Sequence, residues 1–379
     1  MPPENFGTGN ARSENFRPEK ICPEEIRPET IRVAQTVLPC RDLGAMLAFF
    51  TEKLGFRVSM IVPADAPAVA VIAGHGTILR LEQDAGAPAS TLTLLLLCDG
   101  KPAAAEITAP DGTRIRFAEA QPAMVVPPGE QAFILSRNDD PAGWGTGRAG
   151  MQYRDLIPGR LGGRFIASHI RIPGSGPVPD YVHFHKIRFQ MIFCKQGAAK
   201  LVYEDQGDPF WLEAGDCVLQ PPEIRHRVLE SRDHLEVVEI GCPAVHETFA
   251  DHNMTLPTGR LLPERDFGGQ RFVRHVAAET PWQGWLAPGF EARDTGIGKA
   301  TQGLARVEVI RPVGRAGASL RHGGEFRFLF VLAGDATFRA PLYGDHHLKD
   351  GDSIVIPAGT DCDLAAADGA ALLHVMLPD

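Results

Sequence analysis

Beyond Phe165 the chain is cut into short, strand-length runs by the turn signals EDQGDP, LEAGD, LAGD and LKDGD, and the pattern around them occurs twice. Turns this closely spaced leave no room for long helices, and regularly repeated short strands close on themselves as sandwiches, jelly rolls or barrels. The 40 glycines and 31 prolines supply the turn chemistry such an architecture needs. The chain is therefore expected to be mainly β. Its 379 residues also exceed what one hydrophobic core usually organises, so three compact units are expected.

Residues 1–30 repeat a Pro-Glu theme in RPEK, CPEE and RPET with few apolar side chains, and read as an extended arm. Residues 31–140 read as a folded unit: IRVAQTVL, FRVSMIV, VAVIAG and TILRLE have strand composition. Leu43, Met46, Leu47, Phe50 and Leu54 recur at helical spacing, so the order is β-α-β-β-β. TLTLLLL and APDGTRIRFAE suggest a partial second module whose helix is shortened or lost. The glycine-rich stretch 141–164 is expected to be a linker, 165–255 and 301–379 hold the two strand repeats, and 256–300 connects them.

A net charge of -9 and a pI near 5.8 give no electrostatic reason to bind phosphate backbones, so no nucleic-acid partner is expected. No apolar run approaches the roughly 20 residues needed to cross a bilayer, and the N-terminus lacks an apolar signal region. A cytoplasmic protein with no membrane partner is expected. The seven cysteines are scattered and form no CxxC pair, which points to reduced thiols rather than a disulfide scaffold.

The chemistry concentrates in HFHKIRFQMIFCKQG and GDCVLQPPEIRH. Alternate residues of a strand share a face, so His183 and His185 can enter one interior, while Gln190 and His226 arrive from other strands. Imidazoles converging in this way suit one divalent ion; neutral imidazole accepts Fe, Zn, Cu, Ni and Mn, so the ligand types do not name the metal. Arg188 and Arg225 flank these positions and are candidates for binding a substrate carboxylate. Cys194 and Cys217 lie on strands nearby and read as inert buried thiols.

These segments resemble the two cupin motifs: His183, His185, Gln190 and Gly197 fall at the spacing of the first, and Gly215, Pro221 and His226 at that of the second. The departures are Gln190 where the family has Glu, Glu223 in place of a Gly, and Glu230 in place of an Asn. The resemblance implies a metal site of His183, His185, His226 and a weak Gln190, with no charge on its ligands and hence a preference for an anionic, chelating substrate. The later repeat keeps His322, Gly334, Gly351, Pro357 and Gly359 but places Leu320, Arg327 and Cys362 at ligand positions, and reads as a structural barrel. Paired barrels resemble the bicupin arrangement, which implies a homodimer. The stretch DLGAMLAFFTEKLGFRV resembles the glyoxalase and bleomycin-resistance, or vicinal oxygen chelate, family. Its metal positions correspond to Gln35, Glu82 and Glu119, without a histidine.

The expected fold is thus an N-terminal βαβββ glyoxalase-like domain followed by two jelly-roll cupin barrels. The cupin resemblance implies an Fe(II) dioxygenase acting on a small organic molecule, with Gln190, Glu223 and Tyr203 as catalytic candidates. Two alternatives stand beside it. One is a non-redox isomerase, lyase or decarboxylase using Zn, Mn or Ni, with Glu223 or Tyr203 moving protons. The other is a regulatory protein that binds a small molecule without turning it over.

Overall fold

The computed structural model describes residues 27–140, 143–147 and 150–378; apart from residues 27–30, the arm expected over 1–30 lies outside them. The chain is mainly β, with 48% strand and 7% helix, and divides into two compact units, Met1–Ala123 and Met124–Asp379. No helix among the described residues is long and apolar enough to cross a membrane.

In the first unit Thr36–Cys40 runs parallel to Thr77–Gln83, which continues antiparallel to Val69–Gly74 and then Arg57–Val62. A parallel pair needs a crossover, and the helix Leu43–Ala48 supplies it, capped by Asp42, which accepts from Ala45 N at 2.9 Å. Leu43, Met46 and Phe50 pack on Leu38, Leu79 and Leu81. A three-stranded sheet, Thr93–Cys98, Arg114–Glu119 and Glu106–Thr108, adds Leu96 and Ile115 to this core, and no helix lies between Cys98 and Glu106. Gln35 and Glu119 are exposed, and Glu82 is paired with Arg80 at 2.5 Å.

In the second unit one pairing pattern occurs twice. Phe189–Tyr203 lies between Cys217–Leu219 and His226–Cys242, which in turn pairs with Ile166–Ile172. Likewise Phe326–Ala333 lies between Ser353–Val355 and Ala371–Leu377, which pairs with Arg306–Pro312. Period-two alternation sorts the side chains. Phe189, Met191 and Phe193 face Phe326, Phe328 and Phe330 in a core shared by the repeats. The intervening Gln190, Ile192 and Cys194, like Arg327, Leu329 and Val331, point to the other side of their own sheets.

Three expected boundaries need correction. Residues 124–140 belong to the second unit, where Ile134–Ser136 pairs with Ser353–Val355 of the later repeat. The expected linker 141–164 carries Trp144–Thr146 and Gln152–Asp155, the latter extending the sheet beside Ile166–Ile172. The expected connection 256–300 contains Val273–His275, which pairs with Cys217–Leu219 of the earlier repeat, and Phe290–Asp294, which pairs with Arg306–Pro312. The segment leading into each repeat thus lends a strand to the other. Such short edge strands have little apolar periodicity of their own, because their stability comes from the sheet they join. Buried Arg154 fastens this arrangement by donating to Arg137 O at 2.9 Å and Gly351 O at 2.6 Å.

Candidate metal centre

The short strand His183–His185 places His183 and His185 on one side and Phe184 on the other, where it stacks on Phe249. His183 stands directly opposite His226, and His226 directly opposite Tyr203, so these three side chains form a row across three strands. The imidazoles of His183, His185 and His226 bring their ligand atoms within 4.8 Å of one another. His183 and His226 are almost fully buried, and His185 partly.

Each ring is oriented through Nδ1. His183 Nδ1 meets Tyr181 O at 2.8 Å, His226 Nδ1 meets Ile224 O at 3.0 Å, and His185 Nδ1 meets Thr248 Oγ1 at 2.9 Å. A carbonyl only accepts, so in His183 and His226 the proton sits on Nδ1 and the neutral ring carries its lone pair on Nε2, the tautomer that ligates metals. The buried Asp180 carboxylate, 3.7 Å from His183 Nδ1 and itself held by Val228 N at 3.0 Å, adds negative potential behind the site. The donor set fits a divalent transition ion.

Gln190 lies on the same wall, 2% exposed, and its Nε2 donates to Glu239 Oε1 at 2.6 Å. A carboxylate can only accept, so the amide nitrogen is committed to Glu239 and Oε1 faces the opposite way. The histidines, Gln190, Glu239, Gln220 and Tyr203 line one cavity of about 660 Å³ whose remaining walls include Ile170, Ile192, Leu201, Leu212 and Val237. Burial, reinforced by the charge of Glu239 and by Cys217, pushes the Tyr203 phenol well above its ordinary range. It stays protonated and can donate a hydrogen bond, but it cannot serve as a base, which narrows the role expected of it. Cys194 is pushed up to about 12, chiefly by burial, and Cys217 also upward by burial, so both thiols are inert near neutrality.

Three expected site residues lie elsewhere. Glu223 is exposed and outside the cavity; it occupies a tight turn at φ 60°, with its N–H donating to His185 O at 3.0 Å. Arg188 is paired with Glu325 of the later repeat at 2.7 Å, beside Arg164, which also binds Glu325. Arg225 lies over the Phe184 ring at 4.1 Å and pairs with Asp251 at 3.4 Å. Sequence proximity to the histidines misled because Arg188 and Glu223 lie in a bend and a turn between strands, where alternation does not aim side chains at the cavity, and Arg225, next to His226, turns to the Phe184 side. Glu239, Gln220, Thr248 and the lining residue His246 were missed. Glu239 had left one signal, a lone carboxylate within the apolar run VVEIG.

In the later repeat Leu320 and Cys362 stand opposite each other, in the register that His183 and His226 occupy in the earlier one. Arg327 Nε donates to His374 Nε2 at 3.1 Å, which leaves the His374 Nδ1 proton for Glu308 Oε2 at 3.3 Å; Trp285 Nε1 donates to the same oxygen at 3.0 Å. A buried guanidinium with its own partners stands where an ion would compete with it. Among the described residues, the earlier repeat holds the one cluster of three such ligand side chains.

No family model matches the chain, and no curated protein matches it. It is similar to several solved structures. Protein Ylba from E. coli is 13% identical, with 67% of this chain and 94% of that one covered and a TM-score of 0.47. A salicylate 1,2-dioxygenase from Pseudaminobacter salicylatoxidans is 17% identical, with 67% and 86% covered and a TM-score of 0.49. A variant of the oxalate decarboxylase OxdC from Bacillus subtilis is 11% identical, with 65% and 77% covered and a TM-score of 0.48. At these identities and scores the likenesses carry no weight in assigning function, which rests on the side chains described above.

Proposed function

We propose that this chain is a metal-dependent enzyme of cupin type, an Fe(II) dioxygenase acting on a small chelating organic molecule, and that it works as a homodimer. The observation that carries the reading is the convergence of three imidazoles, with the two carbonyl-bound rings fixed in the metal-ligating tautomer, on the wall of a largely apolar cavity. A divalent ion bound there, with Fe(II) favoured, supplies Lewis acidity and one-electron chemistry with oxygen.

The chain's own residues do the rest. Thr248, Tyr181 O and Ile224 O hold the ligand rings, and Glu239 sets the amide of Gln190 so that its oxygen, not its nitrogen, is turned away from the carboxylate. Tyr203, adjacent to His226 with ring centroids 5.5 Å apart, offers a phenolic proton to a substrate oxygen. The apolar walls exclude water and strengthen each of these polar contacts.

The test is metal analysis of protein purified without chelator, followed by oxygen uptake with a panel of chelating substrates and sizing of the native assembly. Near-stoichiometric metal that is lost in His226→Ala, with oxygen consumed by the wild type only, supports the reading. Metal bound but no oxygen uptake with any substrate moves the chain to Lewis-acid chemistry, and a His226→Ala variant that stays metal-loaded overturns the site.

A further inference from the structure

Gln220 follows the strand Cys217–Leu219 directly and its backbone N–H donates to Gln190 O at 2.9 Å, so the two glutamines are cross-strand neighbours on the cavity wall. Gln190 is partnered by Glu239, whereas Gln220 is 1% exposed and, among the described residues, neither its Nε2 nor its Oε1 has a hydrogen-bond partner. An amide that leaves both a donor and an acceptor unmatched in the interior is a standing cost to the fold, and native proteins keep such groups where something else answers them. The space that Gln220 borders is the cavity.

We propose that Gln220 is a specificity-determining residue that reads the polar head of the substrate, and that this head is uncharged, presenting an acceptor beside a donor, on a predominantly apolar body. The inference rests on the cavity being the reactive site. A carboxamide, an un-ionised acid or an enol next to a carbonyl satisfies both amide atoms of Gln220 at once. An ionised carboxylate satisfies Nε2 alone, sets its charge against Gln220 Oε1, and meets the Glu239 carboxylate on the same wall. Apart from the histidines, Arg160 is the one basic side chain on the lining among the described residues, and it is already paired with Asp155 at 3.2 Å. The aliphatic walls take the body of the molecule. A ligand anion is then tolerated at the histidine cluster but not at Gln220.

The test titrates the full chain, stripped of metal, with 4-ethylbenzamide, 4-ethylbenzoate and methyl 4-ethylbenzoate by calorimetry, using wild type, Gln220→Leu and Gln220→Glu. The amide should bind wild type about tenfold or more tightly than the anion or the ester, since a site built to hydrogen-bond a group rejects analogues lacking it. Gln220→Leu should erase that preference while its Tm stays level or rises, because it removes two unmatched polar atoms. Gln220→Glu should weaken amide binding as well. A preference that survives in Gln220→Leu, tighter binding of the benzoate, no binding of any probe, or a Tm lowered by several degrees in Gln220→Leu each overturns the proposal; the last would make Gln220 a residue of the fold. Metal content of the untreated proteins is read separately, so failure of the metal assignment shows as absent metal and failure of this inference as absent amide preference.

Discussion

Of the three imidazoles, two are oriented by backbone carbonyls that no substitution removes, and one, His185, by the Thr248 hydroxyl at 2.9 Å. Thr248→Val keeps the side-chain shape and deletes that one contact. Loss of a partner that orients a metal-bound histidine typically weakens metal affinity about 10- to 100-fold. With metal in excess, that is about 1.4–2.7 kcal/mol less ligand-linked stability. For a unit of this size each kcal/mol moves Tm by about 2–4 °C, so the metal-induced rise should shrink by roughly 3–11 °C. Without metal the variant should lose only about 1 kcal/mol, since Thr248 is exposed and one hydrogen bond is at stake. Thermal scans of wild type and variant, each with chelator and with excess Co(II), isolate the metal-dependent part as a difference of differences. An identical metal-induced rise in both proteins would refute the claim that Thr248 holds a ligand.

Arg188→Ala should lower Tm by the equivalent of about 1 kcal/mol or less and leave substrate or probe affinity unchanged, because its partner is the half-buried Glu325 rather than a ligand; a rise in KM with no loss of stability would restore it to the binding site. Burial lowers the pKa of His374 and of His275, so the folded chain keeps both rings neutral while the unfolded chain protonates them near pH 6.5. The unfolded state then binds more protons below that point, and stability should fall as pH drops from about 6.5, by up to about 1.4 kcal/mol per group per pH unit, in denaturant titrations. Stability that is flat or rising between pH 6.5 and 5 would contradict this. Glu223→Gly should be stabilising or neutral, since a φ of 60° costs a non-glycine residue about 1 kcal/mol, and metal content should not change. A marked loss of stability would show that the Glu223 side chain makes a contact the fold needs.

The amino-acid sequence by itself determined what depends on neighbours along the chain. Alternation put His183 and His185 on one face of their strand. The spacing of His226 brought the third imidazole into register, and the loss of ligands at Leu320 and Cys362 was equally readable.

Only the tertiary structure decided which residues meet across strands. Gln190 and Glu239 lie 49 positions apart, Arg188 and Glu325 lie 137 apart, and the strand Ile134–Ser136 finds its partner more than two hundred residues on, at Ser353–Val355. Such pairings are set by sheet register and by the packing of the two repeats, neither of which leaves a local pattern. A short edge strand or a single polar residue in an apolar run gains its meaning from the surface it lands on, and that surface is assembled from distant segments.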